Sequence, residues 1–283
     1  MRLKELVPVK GLMPLVVALL LITVTSCTNL NTNEIDESIP GYFGLSIDDR
    51  TSLVMENVPF ETKILLKNFS EKTITINLYL LLDGRQVQFQ FENEWVQTAT
   101  IIVPANAIEQ VPVIIQPTIP FGQYRLFAVG RGHSKDGVHI LATPGLVLAH
   151  DVQLFSKTNT EHQQDVLTNP GSLSISRENT ALYGVLLNNE AERLSIPDTL
   201  DVENVYLHVG NNSDHSIEYT AIVMADDIEV WATDGVLEPG TVHVFSPDHL
   251  PKDVIIYALA MITEPDGSIY LSSSHIFNAA TIK

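Results

Sequence analysis

The sequence predicts an all-β protein built as two tandem antiparallel β-sandwiches, and three observations predict it. Short apolar runs alternate with period two and are punctuated by Gly, Pro, Asn and Asp. No stretch of ten or more residues after position 27 shows helical periodicity with caps. The second half of the chain reads as a degenerate copy of the first. A period of two sends alternate side chains to opposite faces of a strand, whereas a helix needs a period near 3.6.

The first 26 residues stand apart from that pattern. Arg2, Lys4 and Lys10 make a basic start, Gly11 to Val24 is an uncharged apolar segment, and Thr25 and Ser26 are small. That is the plan of a secretory signal, and the apolar run falls short of the roughly 20 residues a membrane-spanning helix needs. It ends at Cys27, the only cysteine of the 283 residues. The chain downstream therefore has no internal disulfide, and its stability must come from buried apolar surface. Residues 27–40, polar and acidic without apolar periodicity, read as a flexible tether.

The first sandwich is expected over residues 41–156. Ile74, Ile76, Leu78, Leu80 and Leu82 share one face of a strand, Thr73, Thr75 and Asn77 the other, and Asp83-Gly84 follows as a hairpin turn. Val87, Phe89 and Phe91 then resume the alternation. Further strands are expected at 62–66, 98–103, 110–115, 123–129 and 138–148, with Pro104, Pro117 and Pro120 set between them. Residues 157–172, polar and closed by Asn-Pro-Gly, read as a linker, and 173–283 as the second sandwich.

Ordered landmarks carry the repeat. Asn68 to Ile74 aligns without gaps on Asn211 to Ile217, and the match runs on to Asp83 against Asp226 and Val87 against Val230. Phe43-Gly44 matches Tyr183-Gly184, Tyr124-Arg125-Leu126 matches Tyr257-Ala258-Leu259, and Asp136-Gly137 stands near Asp266-Gly267. Landmarks in one order favour duplication into two domains, although a single large all-β domain can also reach this length. One consequence goes beyond fold. Tyr79 and Leu81 on the outward face of the first copy correspond to Ile222 and Met224 in the second, and a strand facing water would be polar there. These four residues are the candidate interface, lying under another strand, the sister domain or a partner.

Two resemblances add to this reading. Val24-Thr25-Ser26-Cys27 resembles the lipobox of a bacterial lipoprotein signal peptide, which implies a diacylglycerol on the Cys27 sulfur, cleavage before it, acylation (palmitate) of the new amino terminus, and a place in the cell envelope. Thr rather than Asp at position 28 would by the same analogy permit outer-membrane sorting, on its periplasmic side or at the cell surface. Asp83-Gly84-Arg85 and Phe121-Gly122-Gln123-Tyr124-Arg125-Leu126 resemble turns and strands of bacterial immunoglobulin-like modules of the CARDB type. The second copy departs from these, with Asp226-Asp227 for Asp-Gly and Lys252-Asp253 where a glycine turn is expected. The likeness implies architecture and a binding or spacer role, and transfers no functional residue.

Charge excludes some partners. With 16 Lys and Arg against 34 Asp and Glu the formal net charge is −18, and the first 26 residues hold three basic side chains to one acidic, so the remainder is more acidic still. Nucleic acid and anionic lipid surfaces repel such a body, so the membrane is to be reached through lipid alone and any protein partner is left unidentified. No catalytic residue, cofactor or metal site is expected. There is no Gly-x-Ser-x-Gly elbow, His-Glu-x-x-His motif or phosphate loop. Ser272-Ser273-Ser274 and His275 follow one another on an expected strand, which sends Ser274 and His275 to opposite faces. His133 with Asp136, or His139 with His150, could meet in space, but scattered histidines more commonly have no ligand role. Asp48-Asp49, Asp83, Asp136, Asp226-Asp227 and Asp266 sit at expected turns, where calcium coordination competes with the ordinary bonding of turn aspartates to nearby backbone. Trp95 and Trp231 precede Pro104 and Pro239 by nearly the same spacing, which points to one shared structural position; exposure of either would favour glycan binding. The function that follows is a non-enzymatic, lipid-anchored envelope protein serving as a binding or spacer module, with a glycan- or calcium-binding surface lipoprotein as the alternative.

Overall fold

The computed structural model describes residues 43–47, 53–55, 59–115, 122–133, 146–148, 152–156 and 181–278, all within one unit, Pro40–Lys283. Residues 24–27 of the expected lipobox, the tether, the 157–172 linker, Asp48, Asp49, Asp136, His139 and His150 lie outside the described residues, as do residues 138–145 of the expected strand at 138–148.

Among the described residues the regular structure is entirely β. The first half holds β1 (Phe43–Ile47), β2 (Leu53–Met55), β3 (Phe60–Asn68), β4 (Ile74–Leu82), β5 (Arg85–Val87) and β6 (Phe89–Phe91). It continues with β7 (Glu94–Val96), β8 (Thr98–Val103), β9 (Ile108–Ile115), β10 (Gly122–His133), β11 (Leu146–Leu148) and β12 (Val152–Ser156). The second half holds β13 (Gly184–Asn188), β14 (Tyr206–Asn211), β15 (Ile217–Ala225), β16 (Ile228–Leu237), β17 (Thr241–Phe245), β18 (Ile255–Thr263), β19 (Ile269–Ser273) and β20 (Phe277–Asn278).

Each half is a sandwich. In the first, a sheet ordered β1-β3-β9-β6-β7 faces a sheet ordered β2-β12-β10-β4-β5, with β8 also on β4 and β11 on β10. Ile64, Leu66, Val111 and Val113 from one sheet and Ile76, Leu78, Leu80 and Leu126 from the other share a single core. In the second, β13-β14-β17 faces β16-β15-β18-β19, with Leu207 and Val209 packed on Tyr219, Ala221 and Ile262. These are two tandem immunoglobulin-like sandwiches. One pairing departs from the antiparallel expectation, since β12 runs parallel to β2.

The duplication is written into the hydrogen bonds. Asn68 Nδ2 donates to the carbonyls of Lys72, Val103 and Pro104, and its Oδ1 accepts from the amide and hydroxyl of Ser70. Asn211 repeats this on the carbonyls of His215 and Leu237 and on Ser213. Both asparagines are buried, and a buried amide is kept only where its donors and acceptors are satisfied. The hairpins match as well: Asp83 Oδ1 accepts from the Arg125 amide, and Asp226 Oδ1 from that of Ile255.

That pair of bonds corrects one alignment. Arg125 is equivalent to Ile255, so Tyr257 corresponds to Phe127 and not to Tyr124, a shift of three residues. The strand pairings agree, with Leu81 opposite Phe127 and Met224 opposite Tyr257. The shift is odd and so changes the face: Tyr124 packs against the core of the first sandwich and Tyr257 lies in the cluster between the sandwiches.

The tryptophans are corrected too. Between β5 and β8 the first copy carries an extra hairpin, β6 and β7, that crosses to the other sheet and pairs with β9, whereas β16 runs uninterrupted along β15 apart from one bulge. Trp95 lies on the extra hairpin and is 39% exposed; Trp231 lies on β16 and is 5% exposed, packed on Phe245 at 5.7 Å between ring centroids. They occupy no shared position.

Candidate functional site

The site begins with a change of texture inside one strand. The first four residues of β4 alternate buried and partly buried, and the next five, Leu78-Tyr79-Leu80-Leu81-Leu82, are all buried. β15 does the same, alternating over Ile217-Glu218-Tyr219-Thr220 and then burying Ala221-Ile222-Val223-Met224-Ala225. A strand that alternates has one wet face, and one that is continuously apolar is covered on both. The second cover is the sister sandwich. Tyr79, Leu81, Phe127 and Val129 pack in one cluster with Ile222, Met224, Tyr257, Leu259 and Met261. The four residues singled out from the sequence thus meet at this face, and none is more than 1% exposed.

Sequence reasoning missed the polar centre of the same face. Asp227, at the second position of the β15–β16 turn, is wholly buried. Arg131 on β10 reaches it with Nε to Oδ1 and Nη2 to Oδ2, each at 2.5 Å. Asn77 Nδ2 donates to Oδ2 at 2.6 Å and the Tyr257 hydroxyl to Oδ1 at 2.7 Å. The Tyr79 hydroxyl lies 2.9 Å from that of Tyr257. The Asp227 carbonyl accepts from Gln86 Nε2 and Thr98 Oγ1, both at 2.8 Å. Five side chains of the first sandwich thus converge on one residue of the second or on its tyrosine partner. Burial alone would lower the Arg131 pKa, but the bonds to Asp227 and its charge outweigh it and hold it above the usual value. Burial drives Tyr79 and Tyr257 far above theirs, so both stay protonated.

Beside this centre Arg85 Nε and Nη2 reach Glu229 Oε1 at 2.8 and 2.5 Å. The Gln86 amide donates to Glu229 Oε2 at 2.8 Å and the Glu229 amide to Gln86 Oε1 at 2.7 Å. The signal available in the sequence was the turn itself. Asp227 has φ +67, a conformation glycine adopts without penalty. Aspartate also tolerates it, and here the side chain fills the sister sandwich's polar pocket.

The turn aspartates bond to neighbouring protein groups: Asp83 and Asp226 to the next strand, Asp266 to Ser268. Among the described residues no group of three or more His, Cys, Asp or Glu is placed to hold a metal ion. Ser274 is buried, its Oγ accepting from the Ala258 amide, while His275 is exposed.

One titratable cluster stands at the far end of the second sandwich. His215 lies between Asp214, 2.9 Å from Nδ1, and Glu264 at Nε2, and Glu264 also accepts from the Tyr183 hydroxyl. Glu264 and then Asp214 raise the His215 pKa, while Tyr183 and His215 lower that of Glu264. A raised histidine stabilises the fold fully below its unfolded pKa near 6.5, and the contribution is lost as pH rises through the raised value. The Glu264 contribution is present above the usual carboxylate pKa and lost as pH falls through the lowered one. The expected result is that His215→Gln lowers the melting temperature most between about pH 5 and 6.5 and has little effect well above the raised histidine value. Because the His215 side chain is only half-buried, salt should shrink the difference. A deficit that does not change with pH would remove the ion pair from the account.

Comparison with known proteins adds little beyond this. No family model and no curated protein matches the sequence. Among solved structures, the chain is similar to the CupB2 chaperone of Pseudomonas aeruginosa, at 10% identity over 79% of this chain and 96% of that one, with a TM-score of 0.25. A PapD-like domain of human CEP192 is similar at 14% identity over 41% of this chain and 87% of that one, TM-score 0.27. A Caenorhabditis elegans MSP family member, WR4, is similar at 8% identity over 40% and 96%, TM-score 0.26. No residue role passes to this chain from likenesses so distant.

Proposed function

We propose that this chain is a non-enzymatic, lipid-anchored protein of the bacterial cell envelope, in which two immunoglobulin-like sandwiches locked face to face serve as a binding or spacer module for an envelope partner. The observation that carries the reading is the saturated lock around Asp227. Burying an ion pair together with two tyrosines between domains makes sense where the domains must keep a fixed relation, as a spacer or presenting module requires. The anchor is Cys27, with Val24, Thr25 and Ser26 as its lipobox, and the acidic body leaves lipid as the means of membrane attachment. Several acyl chains, at about 0.8 kcal/mol per buried CH₂, hold a protein on a membrane where one does not.

The test is Cys27→Ser in the native host, followed by membrane fractionation and labelling with a fatty acid. The variant should lose label and either leave the membrane or persist as the uncleaved precursor. A variant that is cleaved and still sediments with the membrane sinks the anchor.

A second reading, glycan binding, draws on Trp95. It is partly exposed on a hairpin that the sister sandwich lacks, which suits a recognition loop better than a packing role. Quenching of its fluorescence by envelope polysaccharide, abolished in Trp95→Leu, would favour that reading.

A further inference from the structure

The two sandwiches meet through the same positions of the repeat. Tyr79 and Leu81 are equivalent to Ile222 and Met224, and Phe127 and Val129 to Tyr257 and Leu259, by the registers of β4 on β10 and β15 on β18. All eight lie in one cluster. Gln86 and Glu229 are also equivalent, and each donates its amide to the other's side chain. Reciprocal contacts between equivalent residues define a self-complementary face with a two-fold axis, here passing between Gln86 and Glu229.

The two lobes on either side of that axis differ most at their fully buried centre, while the partly exposed Arg85–Glu229 pair has Ile228 and Gln86 at its mirror positions. On one, Asp227 stands against Asn77 and Arg131. On the other, the equivalent Gly84 stands against Thr220 and Met261, the equivalents of Asn77 and Arg131, so closely that a Cβ there would lie 3.0 and 3.1 Å from theirs. One lobe is an ion pair and its mirror image is an apolar contact.

We propose that this face fits a copy of the repeat, and that the Asp227–Arg131 pair decides which copy it accepts: the unlike sister and not a second sandwich of its own kind. Two second sandwiches docked this way would bury each Asp227 against Thr220 and Met261 with no cation. Two first sandwiches would bury each Arg131 against Gly84 with no acid. The apolar positions suit every pairing and so do not discriminate, whereas a buried charge without its partner is strongly unfavourable. Removing both charges together makes the lobe like its mirror at these two positions, at the cost of the bonds that Asn77 and Tyr257 make to the Asp227 carboxylate. The proposal does not depend on the lipid anchor.

Charge exchange in full-length chains tests it. Arg131→Asp alone places two acids in the lobe, and Asp227→Arg alone places two arginines there. Each chain by itself should have an opened interface and remain mostly monomeric by light scattering. Mixed in equal amounts, they should form a one-to-one dimer in which each chain's first sandwich takes the other's second, at least tenfold more abundant than any dimer of either variant alone. The 24-residue stretch 157–180 can span up to about 80 Å when extended. The chain carrying both changes should be a closed monomer. A mixture that stays monomeric while the doubly changed chain closes overturns the proposal, as does either single variant that stays closed. Should the single variants fail to fold, Arg131→Met with Asp227→Gly decides the matter. That chain should melt above both Arg131→Met and Asp227→Gly. Melting no higher than the more stable of these would make the pair a source of cohesion, not of selection, and overturn the proposal.

Discussion

Tyr79→Asp combined with Leu81→Asp is expected to undock the two sandwiches while leaving each folded. Both side chains are fully buried, yet both belong to the cluster between the sandwiches and to neither internal core. Truncating a large buried side chain typically costs about 2–5 kcal/mol. A carboxylate in its place must also ionise without a cation or keep its proton, either of which adds to that. Here the acid at position 79 would stand close to Asp227, whose cation Arg131 is already engaged. Two such changes exceed what a single interdomain face can be expected to withstand. Denaturation should therefore resolve into two transitions, with that of the first sandwich close to its original position because the Ile76, Leu78 and Leu80 face of β4 is untouched. A single cooperative transition with an unchanged midpoint would show that the face does not couple the domains.

Asn68→Ala and Asn211→Ala should each destabilise their own sandwich by roughly 2–4 kcal/mol, since several buried partners lose their hydrogen bonds at once. The side chain of Asn68 ties the β3–β4 turn to the end of β8, and removing it leaves the carbonyl of Val103 and the hydroxyl of Ser70 each short of a partner. Asn211 does the same for Leu237 and Ser213. Similar losses are expected because the networks share all but one bond, that of Asn68 to the Pro104 carbonyl. Denaturant titration of the two variants checks both points. A loss below about 0.5 kcal/mol in either, the range of ordinary surface substitutions, would mean that water replaces the amide there and that the motif is a relic of duplication and not a structural requirement.

Much of the fold was legible in particular residues. The alternation in Ile74 to Leu82, the Asp83-Gly84 turn and the ordered match of Asn68 on Asn211 each report local chemistry, and local chemistry is what a sequence displays. The breakdown of alternation at Tyr79 and Leu81, repeated at Ile222 and Met224, carried one piece of tertiary information, a second buried face. The inserted hairpin around Trp95 and the register of Tyr257 were not legible. Both depend on which of several apolar strands pair and in what alignment, and those strands are nearly interchangeable in composition.

What the sequence by itself determined is the class, the duplication and the existence of a covered patch, because period, turn chemistry and repetition are properties of residues close together in the chain. What only the tertiary structure decided is the partner of that patch and its polar centre. Arg131 and Asp227 are 96 residues apart and each looks ordinary in its own segment, an arginine on a strand and an aspartate in a turn. Their meaning arises only when docking removes water from both, since a charge pair gains its selectivity from burial, and burial is a property of the assembled fold.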